Sequence, residues 1–227
     1  MNLAIIPARI GSKRIPKKNI KNFCGSPIIS FAIDVAQKSG LFERIIVSTD
    51  SEEVSNISKN LGAEVPFLRS SELSDDHTPL VPVINNVINS LGGEACKHEN
   101  ICCIYPCAPL LLPRDLQNSL ELMIESKSNS CIPVCEFDSA PQRAFMINDE
   151  GKLVWVNPQF KLTRTQDLDK MYHDTGAFAW ATKGKWLQGD ISDGIAYTIP
   201  NSRAIDIDTQ QDWDRAELAF KMSLQKK

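Results

Sequence analysis

Four short, mostly apolar runs constrain this chain more than any other feature: NLAIIPA (residues 2–8), RIIVS (44–48), ICCIY (101–105) and SCIPVC (130–135). Each is too short for a stable helix, and each is followed by a loop. That is the signature of a strand buried on both faces. Between them lie stretches of helical spacing. Ile28, Ile29, Ala32, Ile33, Val35 and Ala36 form an apolar stripe ended by Gly40, and Ser26-Pro27 ahead of it reads as N-cap and first helical residue. Residues 51–61 look helical up to Gly62, Thr78-Pro79 opens a helix to about Leu91 before Gly92-Gly93, and 113–126 reads as another. EVPFL (64–68) reads as one more short strand. Strand and helix alternating over short connections predict an α/β fold, with a mostly parallel sheet, helices on both faces and right-handed crossovers.

The rhythm breaks between residues 136 and 180. Asn148-Asp149-Glu150-Gly151 reads as a hairpin turn between apolar segments, and the polar stretch TRTQDLDKMYHDTG (163–176) follows. Such an excursion suits a substrate lid or a subunit contact. The alternation then resumes with short strands at 195–199 and 204–207 and a closing helix from about Gln210. With no internal repeat, low-complexity tract or linker, residues 1–227 read as one domain with an excursion at about 136–180.

The first strand runs into a concentrated positive patch. Arg9, Lys13, Arg14, Lys17, Lys18 and Lys21 fall within thirteen positions, and no Asp or Glu precedes Asp34. The whole chain carries −3, so residues 1–33 hold +6 and the remainder −9. A general nucleic-acid binder needs a broad basic face and usually a high pI; the pI here is about 5.7. A small, highly charged anion fits better. Ligands of open parallel sheets sit beyond the carboxyl ends of strands, where this loop lies. Gly11 and Ser12 let backbone N–H groups approach a phosphate, and the cations neutralise it. Neither GxxxxGK[ST] nor GxGxxG is present. The bland alternative is a solvated basic loop with no ligand.

Asp206-Ile207-Asp208 is the second constellation. Residues i and i+2 of a strand point to one side, and two carboxylates facing together repel unless a cation lies between them. Mg²⁺ accepts oxygen ligands, keeps waters and bridges to phosphates. A lone DxD also occurs on solvated strand faces. Arg143, Arg164, His173 and Asp174 form a third group, inside the excursion. Arginine forks match carboxylates, which points to an acidic co-substrate, with surface ion pairs as the plainer reading. His173 has no GxSxG-type elbow beside it, so it reads as a hydrogen-bonding residue.

Seven cysteines without a CxxC pair (Cys24, Cys96, Cys102, Cys103, Cys107, Cys131 and Cys135) read as buried free thiols in a reducing compartment. Their spacing does not suit zinc. No cleavable-signal layout opens the chain, and no apolar run approaches ~18 residues. These features predict a cytoplasmic protein with neither membrane nor nucleic-acid partners.

PARIGSKRIPKKN (7–19) resembles the signature of the nucleotidyltransferases that activate nonulosonic acids, the CMP-sialic acid synthetase family. IIVSTD (45–50), EVPFLRSSEL (64–73), DDHTP (75–79) and IDIDT (205–209) fall in that family's order and spacing, so the resemblance covers nearly the whole chain. The branch of the family that acts on pseudaminic acid is the more similar one. IYPCAPLL (104–111) carries Tyr105 where enzymes for sialic acid usually carry Gln. APQRAF (140–145) and TRTQDLDKMYHDTGAF (163–178), with Trp180 after them, are also similar to that branch. Two positions depart from the pattern: Ile10 replaces the usual Gly, and Cys107 stands where Thr or Ser is common.

The resemblance implies a Rossmann-like nucleotidyltransferase sheet whose excursion serves dimer contact and substrate binding. It implies that Ala8, Arg9, Ser12, Lys13, Lys18 and Asn19 contact CTP, with Arg69, Asp76 and Thr78 helping. It puts Mg²⁺ on Asp206 and Asp208, and Tyr105, Gln142, Arg143, Arg164, His173 and Asp174 near the sugar. A homodimer is expected. Lys13, Arg9 and Asp208 would then carry catalysis as the anomeric hydroxyl attacks the α-phosphorus of CTP. Sialic, legionaminic or 3-deoxy-octulosonic acid remain alternative sugars, and a non-catalytic nucleotide-binding regulator is the alternative of another class.

Overall fold

The first apolar run becomes β1 (Asn2–Pro7), and Leu3, Ala4, Ile5 and Ile6 are fully buried because β1 lies inside a sheet with a parallel neighbour on either side. The computed structural model describes residues 1–75 and 77–225, and only the backbone of residues 94–96. After β1 the chain forms β2 (Asn22–Phe23), β3 (Ser26–Pro27), α1 (Ile29–Ser39), β4 (Arg44–Ser48), α2 (Glu52–Asn60), α3 (Leu80–Leu91), β5 (Asn100–Ile104), α4 (Pro113–Glu125) and β6 (Ser130–Glu136). The excursion holds β7 (Phe145–Ile147), β8 (Leu153–Trp155) and β9 (Tyr172–Asp174). Then come β10 (Phe178–Thr182), α5 (Lys183–Gln188), β11 (Ile195–Thr198) and α6 (Gln210–Leu224).

The central sheet runs β11-β6-β10-β5-β1-β4, with β9 paired to β6 off that path. Only β9 and β10 run against the other strands of this seven-stranded sheet, so it is mostly parallel, as the alternation predicts. The two-residue side-chain period splits the core into layers. Ala4, Ile6, Cys102 and Ile104 pack with α1 and α4 on one face. Leu3, Ile5, Ile101 and Cys103 pack with α3 and Trp186 of α5 on the other. The prediction of helices on both faces is met.

Four local expectations give way to the structure. Ser26-Pro27 does not cap α1: Cys24 (φ 47) and Gly25 (φ 101) turn the chain into a β2–β3 hairpin, and the helix begins at Ile29 without a side-chain cap. The Thr78 hydroxyl donates to Asp75 instead of capping α3, which starts at Leu80. Residues 64–68 make only isolated bridges, Glu64 to Ile46 of β4 and Leu68 to Thr49 just after it, and Pro66 between them has no N–H to give a ladder. Residues 204–207 form no strand. The helix α5 was not read from the sequence at all. Helix α6 starts where expected, at a capping box in which Thr209 and Asp212 satisfy each other's backbone N–H.

A third, smaller core positions the site. Ile15 from the basic loop, Phe23 from the hairpin and Ile207 from between the two carboxylates are buried against Trp213 and Ala216 of α6. Phe23 meets Phe31, Trp213 and Phe220 edge to face. Burying Ile15 and Ile207 contributes about 1.5–3 kcal/mol each. The apolar members of two polar segments thereby bring those segments together. Arg203 adds a second anchor, since its guanidinium pairs with the buried carboxylate of Asp115 at the start of α4.

Candidate active site

Five segments converge on one edge of the sheet, beyond the carboxyl ends of its parallel strands. They line a cleft of about 540 Å³. Arg9, Ser12, Lys13, Arg14, Lys18 and Asn19 come from the loop after β1, Arg69, Asp75 and Thr78 from the segment beyond β4, and Tyr105 and Cys107 from the loop after β5. Gly176 precedes β10, whose antiparallel course brings its start to the same edge, and Asp206 and Asp208 follow β11. Among the described residues five cations and three carboxylates thus face one space, a surplus of +2 there in a chain of −3. The basic loop thus lines a cleft, where the sequence placed its candidate anion site.

The loop is rooted in the sheet. Ala8 is fully buried and donates its N–H to the Ser48 carbonyl, so it fixes the loop's base and does not line the cleft as the resemblance implied. The Ile10 N–H donates to Asp50 Oδ1 at 3.0 Å. Asn19 lines the cleft, but its amide is already engaged: Nδ2 donates to the Arg9 carbonyl and Oδ1 accepts from Cys107. Arg69 is buried and donates to Ser74. Burial pushes its guanidinium pKa down; Asp50 works against that shift and Arg9 adds to it. Asp75 accepts from the backbone N–H of His77 and Thr78 and from the Thr78 hydroxyl, which hold its carboxyl below the usual range. Asp76 lies outside the described residues.

The two carboxylates of the DxD face the cleft although their segment is not in a ladder. Ile207 between them is buried in the small core, and the carboxylates on either side of it line the cleft. Asp208 Oδ1 is 2.8 Å from Arg14 Nη2 and 3.3 Å from Lys18 Nζ. Burial raises the Asp206 pKa, and the charges of Asp208 and Asp174 push it the same way. Gly176 sits in the left-handed region at φ +60, and a Cβ there would stand 3.0 Å from the Asp206 carboxyl carbon. The only donors on these two residues are oxygen atoms, and like charge crowds Asp206. That set fits a hard divalent cation with room for water and phosphate oxygens.

The residues expected near the sugar divide. Tyr105 lines the cleft; burial pushes its phenol pKa well up, with Cys103, Asp174 and Asp206 adding to the effect. Asp174 stands close enough to act on both Tyr105 and Asp206, and its Oδ1 accepts from the Gly176 N–H. Gln142, Arg143, Arg164 and His173 do not line the cleft of their own chain, because their polar atoms knit the excursion together. Gln142 donates to the Asp169 carbonyl, Arg143 to Thr165, and Arg164 to Asp167. His173 Nδ1 donates to the Asp174 carbonyl, which leaves Nε2 to accept from the buried Cys135 thiol at 3.0 Å. Asp50 and Gly176 were not singled out from sequence, since nothing local marks a residue whose partner is distant; Asp75 was not singled out either, although its partners His77 and Thr78 are local.

Six cysteines, Cys24, Cys102, Cys103, Cys107, Cys131 and Cys135, are free thiols, and the Cys96 side chain lies outside the described residues. No helix among the described residues is long and apolar enough to cross a membrane.

Comparison with known proteins identifies the family. The family model described as Cytidylyltransferase matches residues 3–180. The chain is 38% identical over 225 residues to the pseudaminic acid cytidylyltransferase of Campylobacter jejuni subsp. jejuni serotype O:2, covering 98% of this chain and 97% of that one. It is 28% identical over 231 residues to the CMP-N,N'-diacetyllegionaminic acid synthase of Legionella pneumophila, with 97% of each covered. Among solved structures, a CMP:2-keto-3-deoxy-manno-octonic acid synthetase complexed with CTP superposes with a TM-score of 0.73 at 15% identity, covering 98% of this chain and 99% of that one.

Proposed function

The chain belongs to the cytidylyltransferase family, and from that premise we propose that it activates pseudaminic acid with CTP, giving CMP-pseudaminic acid and pyrophosphate. One observation carries the reading. Among the described residues a +2 surplus of fixed charge, with the Asp206 and Asp208 carboxylates set against the basic loop, lines one cleft in a chain 38% identical to an enzyme of that name over nearly its whole length.

The anomeric hydroxyl of the sugar attacks the α-phosphorus of CTP. A carbon-bound oxygen joins phosphorus, the α–β phosphoanhydride bond breaks, the hydroxyl proton is lost and pyrophosphate leaves. Two anions must meet first. At ~4 Å each like-charge pair costs about 4 kcal/mol at an effective dielectric of ~20. Arg9, Lys13, Arg14, Lys18 and Arg69 offset that repulsion. Lys13, beyond the Gly11-Ser12 turn, is the residue assigned to charge growing on the departing pyrophosphate, a role worth roughly 3–4 kcal/mol when the donor is preorganised. Asp206 and Asp208 would hold Mg²⁺, which when bound neutralises triphosphate charge and polarises the α-phosphate. Tyr105, which lines the cleft, and Asp174, whose charge acts on it, are assigned to the sugar, and in-line positioning supplies much of the remaining acceleration.

The working form is read as a cytoplasmic homodimer. Phe145, Met146, Ile147, Leu153 and Val154 are exposed along the β7–β8 hairpin, an apolar surface that a second copy would cover. Arg143 and Arg164 stand off their own cleft, which leaves them for the cleft of that second copy. The testing experiment is pyrophosphate release with CTP and Mg²⁺ across pseudaminic, legionaminic, sialic and 3-deoxy-octulosonic acids. Preference for pseudaminic acid is expected. Turnover with another sugar alone would keep the chemistry and discard the substrate.

A further inference from the structure

A single peptide unit at the root of the basic loop is gripped at both of its polar ends by side chains. The carbonyl of Arg9 accepts from Asn19 Nδ2 at 2.8 Å, and the N–H of Ile10 donates to Asp50 Oδ1 at 3.0 Å. Asn19 is itself held, because its Oδ1 accepts from Cys107 Sγ at 3.2 Å. The amide orientation follows from the partners: a carbonyl can only accept, so Nδ2 faces Arg9 and Oδ1 faces the thiol. Oδ1 carries no proton, so the thiol is the donor. Burial pushes the Cys107 thiol up to about 12, with Asp206 and Asp208 adding to the shift and Lys18 opposing it, so the donor proton is in place at neutral pH. A chain of hydrogen bonds thus runs from the loop after β5, through Asn19 and the Arg9–Ile10 peptide, to Asp50 after β4. Both ends follow directly on the two strands that flank β1.

We propose that Cys107 is a positioning residue for the nucleotide. Its thiol fixes Asn19, Asn19 fixes the Arg9–Ile10 peptide, and that peptide sets Arg9 and the Gly11–Lys13 stretch before the triphosphate arrives. Asn19 is 7% exposed, so an unfilled hydrogen bond there would be costly to leave. A short hydroxyl donor at position 107 could make the same bond to Asn19. The proposal rests on the family reading only in taking the ligand to be CTP.

Cys107 also packs against the small core around Ile15 and Phe23, so a purely space-filling role is the rival. Three variants separate the two: Cys107→Ser keeps a donor, Cys107→Val keeps apolar bulk without one, and Cys107→Ala keeps neither. Titration calorimetry with CTP and steady-state kinetics are the readouts. The expected result is a rise in the CTP Kd of roughly three- to tenfold for Val and Ala, the worth of one neutral hydrogen bond, with kcat lowered. Ser should match the parent, and the KM for the sugar should stay within about twofold in all three. A Val variant that binds CTP like the parent overturns the proposal, as does a Ser variant as weak as Ala. If Ala fails to fold, Ser against Val still decides. A parent protein that binds CTP but releases no pyrophosphate with any acid sugar would overturn the function proposed above and leave this test intact.

Discussion

Lys18 and Asp208 stand 190 positions apart, yet the Lys18 ammonium lies 3.3 Å from Asp208 Oδ1 and donates to the Ile207 carbonyl at 2.6 Å. One cation therefore ties the nucleotide loop to the segment that carries the paired carboxylates. The Lys18 side chain is only 21% exposed, so the contact is partly shielded from solvent. Lys18→Met should cut kcat/KM for CTP by roughly ten- to a hundredfold, corresponding to about 1.5–3 kcal/mol for a hydrogen bond to a charged group. Unchanged CTP kinetics would reduce the contact to an incidental surface pair.

Lys13 lines the cleft beyond the Gly11-Ser12 turn. A charge that acts on developing negative charge lowers kcat when removed, whereas a ground-state anchor raises KM. Lys13→Ala should lower kcat by about a hundredfold or more while CTP binding weakens far less. Calorimetry beside single-turnover kinetics separates the two, and the reverse pattern would make Lys13 an anchor.

Much of this was legible in the chain because it is local. The buried runs, the basic loop and the Ile207 alternation carry their meaning in neighbouring residues. Ser26-Pro27 misled because Cys24 and Gly25 take left-handed conformations that turn the chain into a hairpin, and Cys24 gives no sequence warning of that. The direction of β10 was unreadable, since an apolar run does not encode which way it is inserted. Asp50, Cys107 and Gly176 owe their roles to partners brought by the sheet. The arginines of the excursion were read as partners for an acidic co-substrate, with surface ion pairs as the plainer reading; in the structure Arg164 pairs with Asp167, Arg143 donates to Thr165, and neither lines the cleft of the same chain.

Asp212 backs the segment that carries Asp208. Its Oδ2 accepts from the Thr209 hydroxyl and from the Thr209 and Asp208 backbone N–H groups. The Thr209 hydroxyl is the main cause of its lowered pKa, with the backbone donors adding to it and burial opposing. A depressed folded-state pKa means stability that is present above the unfolded value of ~3.9 and is lost as pH falls through the folded value. Asp212→Ala should therefore cost about 1 kcal/mol at pH 7 as a lost cap, lowering Tm by roughly 2–4 °C. The difference should shrink as pH drops below ~3.9. An equal loss in urea melts at both ends of that range would point to helix packing instead.

Ile147 and Leu153 face each other across the β7–β8 hairpin and are 73% and 66% exposed. If a second copy covers them, Ile147→Glu should shift sedimentation toward monomer. The sugar KM should rise with it, since Arg143 and Arg164 would lose the cleft they serve, while the CTP KM holds. Arg164→Ala should raise the sugar KM alone and leave the oligomer intact. A protein that sediments as a monomer before any change would sink the dimer outright.

Gly176 and Gly25 both lie at positive φ, +60 and +101, but only one of them crowds the site. A Cβ on Gly176 would meet the Asp206 carboxyl carbon at 3.0 Å and its oxygens at 3.2 and 3.3 Å, whereas a Cβ on Gly25 would meet nothing within 4 Å. Each alanine variant should destabilise the fold by about 1–2 kcal/mol through backbone strain. Gly176→Ala must also displace a carboxylate at the cleft, so its kcat should fall by about tenfold or more, while Gly25→Ala keeps near-parental kcat. Measuring both variants at a temperature well below either melting point separates strain from site geometry. If the two lose activity in proportion to their lost stability, Gly176 has no role beyond the turn it makes.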